Sequence, residues 1–398
     1  MDGNGGARGD SDLGQAVSRR ALARVALALL LGACSGSNGP AAPSLTTGSA
    51  ADSAPTASTP PTSASGLSSL PSGCPAGGVA PASAIVAFVS GGRAWAAAPD
   101  DPSTLTCLFS SPDPGVFSWG PRGDRVLLSG LEVRGVGSSV SRPPTATSPA
   151  YFSWSRPTGT TVIFTDSTMR TIQRADMGTA QLDAITPLSD VTYGDLAYHP
   201  SGLAIGFVAN RPTGSELWMS TNQGKDPVLL VRGGSGARFG HIVFAHDGTH
   251  LLYSVDGPDS VSHRLASVDI TTGVATVVWT GDAAVRDIVE EAATPGAGLT
   301  LGRGCADARA LYAPLDGSAG TLLLPQAGTP TSVVGRLDAN RFLVSAGGCD
   351  GPHDLYVVAT SGGPGKHLIS NVQAAALRQA EPAPPPPLPS ALPRSPFA

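Results

Sequence analysis

The stretch HIVFAHDGTHLLYS, residues 241–254, carries the pattern on which the fold turns. An apolar run, IVFA, leads into the turn His246-Asp247-Gly248. A second apolar run, LLYS, comes at once after it. Asp-Gly between two apolar runs is a strong short-range hairpin signal. The pattern recurs at 116–129 (VFSWGPRGDRVLLS), 151–165 (YFSWSRPTGTTVIFT), 195–208 (DLAYHPSGLAIGFV), 290–302 (EEAATPGAGLTLG) and 333–345 (VVGRLDANRFLVS). The turn residues Gly123, Gly159, Gly202, Gly248, Gly296 and Ala339 stand 36, 43, 46, 48 and 43 residues apart.

Two more strand-like runs come after most of these hairpins. The second strands are IVAFV (85–89), RVLLS (125–129), TVIFT (161–165), AIGFV (204–208), HLLYS (250–254), LTLG (299–302) and RFLVS (341–345). Third strands read RAWAAA (93–98), ELWMS (216–220), RLASVD (264–269), ALYAPL (310–315) and DLYVVA (354–359). Fourth strands read TLTCLF (104–109), PVLLV (227–231), ATVVWT (275–280), GTLLLP (320–325) and KHLIS (366–370). Each unit is a four-stranded meander, and a period of about 40–50 residues is that of a propeller blade. The fold class expected is therefore all-β, a single β-propeller over residues 74–379.

The ends set the blade count. The first unit starts at its second strand, near Ile85. The run NVQAAALR (371–378) stands where an eighth unit would begin and then stops. Pairing 371–378 beside 85–89 completes the first unit and removes an open edge. That gives seven four-stranded blades, with the ring closed by the C-terminal strand. Six blades is the alternative, because 116–192 is irregular and 130–150 reads partly as a long loop.

The chain has 398 residues, 14% of them charged, with a net charge of −5. Such a surface excludes a strongly basic nucleic-acid interface. Residues 1–33 read as an export signal: Arg19, Arg20 and Arg24 precede the short apolar run VALALLL (25–31). That run is too short to span a bilayer. Leu31-Gly32-Ala33-Cys34 resembles the lipobox of bacterial lipoproteins. The resemblance implies that Cys34 becomes the lipidated N-terminal residue, holding the protein to the extracytoplasmic face of the cell membrane. Ser18-Arg19-Arg20 also permits twin-arginine export, and Val17 is an alternative start.

Residues 34–73 are rich in Ser, Thr, Ala and Pro and too poor in large side chains to offset the entropy of ordering. They are expected to form a disordered tether. Residues 380–398, with Pro384 to Pro387 in a row, are expected to form a disordered, polyproline-like tail. Four further cysteines outside the cytoplasm suggest two disulfides. The favoured pairing is Cys74–Cys107 and Cys305–Cys349, because Cys305 and Cys349 each lie six residues before a Leu-Tyr pair and so occupy equivalent loops of adjacent blades.

The turn signatures FSWGPRG, FSWSRPTG, LAYHPSG and VFAHDG resemble the PDG-type repeats of TolB-like and WD40-like bacterial propellers. The resemblance implies propeller architecture. Only Asp247-Gly248 keeps the family's Asp-Gly pair, and no N-terminal helix–sheet domain of the TolB kind is legible. A role in envelope assembly is thereby not carried over.

Candidate chemistry is sparse. No G-x-S-x-G nucleophile elbow occurs, and Gly362-Gly363-Pro364-Gly365-Lys366 lacks the spacing of a phosphate-binding loop. His241, His246 and His250 cluster in sequence, but a metal site would need them to converge with a carboxylate. His199 holds the turn position of His246 one blade earlier, which favours a structural role for both. Trp119 and Trp154 share one repeat position and are expected to pack between blades. Asp195, Asp287, Glu290 and Glu291 lie near first strands, where they would make an acidic channel mouth or ordinary exposed carboxylates. No catalytic, cofactor or metal residue is assigned. The expected function is a monomeric, membrane-tethered binding or scaffold module for a protein, peptide or glycan partner of the cell envelope. The alternative is an extracytoplasmic lyase or oxidoreductase with its site in the central channel.

Overall fold

The computed structural model describes residues 70–74, 80–110 and most of 117–378, with gaps at 124, 129–131, 136–139, 142–150, 157, 180, 258–261 and 291–295. The export segment, Cys34, most of the tether and the tail 380–398 lie outside the described residues.

The described strands are short and antiparallel, as the repeat requires. One sheet joins β12 (Thr192–Tyr198), β13 (Ala204–Arg211), β14 (Gly214–Thr221) and β15 (Val228–Arg232) in sequence order. The next joins β16 (Arg238–Phe244), β17 (His250–Asp256), β18 (His263–Asp269) and β19 (Ala275–Gly281). Two more sheets are built the same way: β20 (Val285–Glu290) to β23 (Thr321–Leu322) through β21 (Gly296–Leu301) and β22 (Arg309–Pro314), then β24 (Thr331–Asp338) to β27 (Lys366–Val372) through β25 (Arg341–Ala346) and β26 (His353–Ala359). A fifth runs through β8 (Phe152–Trp154), β9 (Thr161–Thr165), β10 (Ile172–Asp176) and β11 (Leu182–Ile185).

The sixth sheet is made of both ends of the domain. The last strand, β28 (Ala374–Leu377), pairs with β1 (Val86–Ser90), which pairs with β2 (Arg93–Ala97), which pairs with β3 (Thr106–Ser110). Val86 stands opposite Leu377 and Val89 opposite Ala374. Beyond the ladder, Arg378 N–H donates to Ile85 O at 2.8 Å and Gln373 N–H to Val89 O at 2.8 Å. The expected pairing of 371–378 beside 85–89 is what the chain adopts. A small additional four-stranded sheet holds β4 (Phe117–Trp119), β5 (Arg125–Leu128), β6 (Glu132–Gly135) and β7 (Val140–Ser141). The stretch 130–150, read from sequence partly as a long loop, thus contains β6 and β7. They carry few aliphatics, so their pattern is weak in the sequence. The chain is an all-β propeller of four-stranded blades.

The core lies between sheets rather than at the centre. Val208, Leu217 and Met219 of one sheet pack on Phe244, Leu251 and Val268 of the next. Leu252 and Leu265 pack likewise on Leu299 and Leu311. Phe88 and Trp95 of the closing sheet meet Leu343, Leu355 and Leu368. A strand covered on both faces loses the polar–apolar alternation, which is why β1, β17 and β21 read as nearly unbroken apolar runs. Each fully buried Leu, Val or Phe contributes roughly 1.5–3 kcal/mol.

Both disulfides join the expected partners. Cys74–Cys107 ties the entry segment to β3, with Cα atoms 5.4 Å apart. Cys305–Cys349 ties the β21–β22 loop to the β25–β26 loop of the neighbouring sheet, with Cα atoms 5.6 Å apart.

Candidate functional site

A cavity of about 740 Å³ lies among the first strands of six sheets. Its wall includes Phe117 of β4, Phe152 of β8, Val243 of β16, Ile288 of β20, Leu337 of β24 and Leu377 of β28. Asp287, Arg156, His246, Arg336 and Arg378 add charge or hydrogen-bonding groups. This is the central channel.

Each of three successive first strands carries an irregularity in its ladder. Pairing slips between Tyr193 and Leu196 in β12, between Phe239 and Ile242 in β16, and between Val285 and Asp287 in β20. The skipped positions are Gly194 and Asp195 in β12, Gly240 and His241 in β16, and Arg286 in β20, next to Asp287, which itself pairs with Thr300; Asp195, His241 and Asp287 stand 46 residues apart in each step. Bulges re-aim side chains in this way. The local sequence shows it twice, as Tyr-Gly-Asp-Leu (193–196) and Phe-Gly-His-Ile (239–242). Reading the histidines by proximity to one another, rather than by repeat phase, hides this alignment.

Asp195 is nearly enclosed, with 15% of its side chain exposed. Its Oδ1 accepts from Leu196 N–H at 2.8 Å, and its Oδ2 accepts from Ile242 N–H of the next sheet at 3.0 Å. His241 Nδ1 stands 3.6 Å from Asp195 Oδ2, an ion-pair distance rather than a hydrogen bond. Burial works against protonation of His241. The charges of Asp195 and Asp287 outweigh it, so the His241 pKa is raised.

Asp287 meets channel water but is walled by protein on the other sides. That enclosure, assisted by the like charge of Asp195 and opposed by His241 and the Ile288 amide, pushes its carboxyl up to about 6. Its Oδ1 accepts from Ile288 N–H at 2.8 Å. The Glu290 side chain and Glu291 lie outside the described residues.

The other candidates have mixed roles. His246 lines the channel, whereas His250 Nδ1 lies 2.7 Å from Thr249 Oγ1 in an exposed turn. The three histidines do not converge, and among the described residues no group of three His, Cys, Asp or Glu side chains is arranged to hold a metal. His199 is fully buried. Its Nε2–H donates to Gly248 O of the next sheet at 2.9 Å, so Nδ1 must accept, which it does from Ser201 N–H at 3.1 Å. Burial holds its pKa down and the ring neutral. His199 is thus structural, while its repeat equivalent His246 faces the cavity; the shared role expected for the two does not hold. Trp154 Nε1–H donates to Ser118 Oγ at 3.1 Å across a sheet boundary, and Trp119 packs against Ala376 and its neighbours. Both tryptophans pack between sheets, as expected.

No protein-family model matches this sequence, and no curated protein matches it. Solved structures do. An oligogalacturonate lyase in complex with manganese aligns at 13% identity over 67% of this chain and 82% of that one, with a TM-score of 0.52. Prolyl oligopeptidase B from Galerina marginata aligns at 14% identity over 73% of this chain and 51% of that one, with a TM-score of 0.51. TolB from Acinetobacter baumannii aligns at 12% identity over 76% of this chain and 66% of that one, with a TM-score of 0.43. The likeness is one of fold, the β-propeller. Fold alone does not assign function.

Proposed function

We propose that this protein is an extracytoplasmic, lipid-anchored propeller that binds a protein, peptide or glycan partner of the cell envelope at its channel mouth. The ring on this reading has seven blades, the small β4–β7 sheet being the second. Two contacts support that count: β28 packs against β4, and Trp154 of β8 bonds Ser118 of β4. Anchoring is through Cys34, and the protein acts as a monomer.

The observation that carries the binding reading is the composition of the cavity wall. Phe117, Phe152, Leu337 and Leu377 offer apolar surface, and charged groups such as Asp287 and Arg156 stand at separate points around it. Apolar area with a few fixed polar groups is the usual make-up of a recognition site. The Asp195 carboxylate is already engaged by two backbone amides, so its main work is joining two sheets.

The test is photo-crosslinking in intact cells from a reactive side chain placed at Phe152 and, as a control, at the outer-edge residue Val277. Adducts to one envelope component from Phe152 but not from Val277 are expected. Equal labelling from both positions would remove the channel from the reading. For the anchor, Cys34→Ala is expected to release the protein from the membrane fraction.

A second reading is enzymatic, a lyase or oxidoreductase. It is favoured by Asp287, whose carboxyl near 6 beside His241 suits proton transfer close to neutral pH. On that reading Asp287→Asn abolishes turnover; on the binding reading it only alters affinity.

A further inference from the structure

The fourth strand of the β20–β23 sheet is cut short. β23 has two residues, whereas the fourth strands of the preceding and following sheets, β19 and β27, have seven each. After Leu322 the chain crosses to the following sheet, where Leu323 forms a parallel bridge with Gly363, and then makes a 3₁₀ turn at Pro325–Ala327. Beside this crossing lies a cavity of about 390 Å³, with Gln326, Thr329, Asp354 and Tyr356 in its wall. It shares no wall residue with the central channel.

This notch is a fixed feature of the fold. Leu324, in its wall, sits in the left-handed region at φ 54° and ψ 49°, where a non-glycine residue is uncommon. Such a conformation persists only where the surroundings over-determine it. Gly365, also in the wall, is equally constrained: a Cβ there would meet Leu324 Cδ1, Tyr356 Cβ and Val358 Cγ2 at 3.0 Å each. The rim residues Gly347 and Pro352 belong to the loop whose Cys349 is bonded to Cys305 of the neighbouring sheet. The two sheets that form the notch are thus joined covalently, and a site already ordered loses less affinity to entropy.

The chemistry of the wall selects a ligand class. Among the described residues it carries no Lys or Arg and one carboxylate, Asp354, so it does not suit an anion. The side chains of Gln326, Thr329 and Asp354 make no hydrogen bond to protein among the described residues. They offer a carboxylate that only accepts, an amide that does both, and a hydroxyl. A purely apolar ligand would cover these groups and leave them unpaired. Tyr356 is half-buried, and its ring meets His367 at 5.3 Å, which limits its orientation. The face of such a ring is the negative part of its quadrupole and attracts polarised C–H groups. A neutral sugar joins a face of C–H bonds to a rim of hydroxyls that both donate and accept. The volume lies within the range of about 300–1,000 Å³ usual for small-molecule sites.

We propose that this notch binds one sugar residue of a neutral glycan, with its C–H face on Tyr356 and its hydroxyls on Gln326 and Asp354. The site is separate from the channel and does not rest on the reading of the channel mouth.

The test is saturation-transfer NMR on the purified full chain, with maltotriose, cellotriose and triacetylchitotriose as neutral probes and trigalacturonate as the acidic one. Transfer to at least one neutral probe is expected, with weaker or no transfer to the acidic one. Titration with that probe should show affinity falling about tenfold in Tyr356→Ala and surviving in Tyr356→Phe, which keeps the ring. Gln326→Ala, a change at an exposed side chain that should leave the fold intact, is expected to weaken binding about fivefold, the worth of one hydrogen bond. No transfer to any neutral probe, binding of trigalacturonate as tight as that of the best neutral probe, or an affinity indifferent to Gln326→Ala would each overturn the proposal. Cell adducts from Phe152 report on the channel alone, so the two readings fall separately.

Discussion

Two boundaries of the ring are held by different means. Between the β12–β15 and β16–β19 sheets, the ties are buried and come from repeat positions. His199 donates to Gly248 O, Asp195 accepts from Ile242 N–H, and the His199 ring meets Phe244 edge-on at 5.1 Å. Where the ring closes, the ties come from chain ends hundreds of residues apart. There β28 pairs with β1, Arg378 reaches the carbonyls of the β4–β5 turn, and Cys74–Cys107 pins the entry. An internal boundary can be rebuilt by copying the repeat. The closing boundary exists once and requires that the rest of the ring already be in place.

The greatest loss should come from opening the closing boundary. A chain ending at Gln373 loses β28, its ladder to β1 at about 1 kcal/mol per hydrogen bond, and the burial of Leu377 and Ala376. Calorimetry should show a fall in Tm of roughly 10 °C. Size-exclusion should show association through the exposed edge of β1. A stable monomer with unchanged Tm would mean that β28 does not hold the ring shut.

Next, Cys74→Ser with Cys107→Ser should cost about 3–4 kcal/mol, the loop-closure value for a separation of 33 residues. Denaturant unfolding with and without reductant measures it. A loss well below this would mean that the entry segment is held mainly by packing.

At the internal boundary, His199→Ala should cost about 2–4 kcal/mol near neutral pH, from lost hydrogen bonds and the cavity left behind. It should also change the pH dependence. The folded pKa of His199 is depressed, so as pH falls below about 6.5 the unfolded chain takes up a proton that the buried ring resists. The native protein should lose stability in that window, and the variant should lose less. Gly202→Ala probes the same neighbourhood. Gly202 has φ +73°, and an added Cβ would collide with Arg156 O of the preceding sheet, for a cost of about 1–3 kcal/mol.

Stability should change least inside the channel. Asp287 has a folded pKa raised above its unfolded value, so the folded chain binds the extra proton between about 4 and 6. Its contribution is lost as pH rises through that window, and Asp287→Asn should abolish this slope. In the same variant the His241 titration, followed by NMR, should move down toward the ordinary histidine value. An unmoved His241 would separate the two residues electrostatically.

Much of the architecture is legible in the chain. Hairpin turns such as Asp247-Gly248, and apolar runs such as LLYS, are local signals set by backbone sterics and by burial on both faces of a strand. The closing pair is legible because a unit lacking its first strand and a first strand lacking its unit are complementary. β6, β7, β10 and β11 do not read as strands, since they are short and carry more polar residues. The alignment of Asp195, His241 and Asp287 is present as a 46-residue step, yet its meaning depends on bulges that only pairing creates.

The repeat, the four-stranded unit, the closing strand and the cysteine partners needed nothing beyond the order of residues, because each rests on spacing or on short-range preference. Which histidine is sealed and which faces the channel depends instead on how the sheets pack. His199 and His246 occupy one repeat position and differ because of what the neighbouring sheet places against them. Packing, too, puts Asp287 within the electrostatic reach of His241. Burial and coupling between residues 46 apart arise only when adjacent sheets come together.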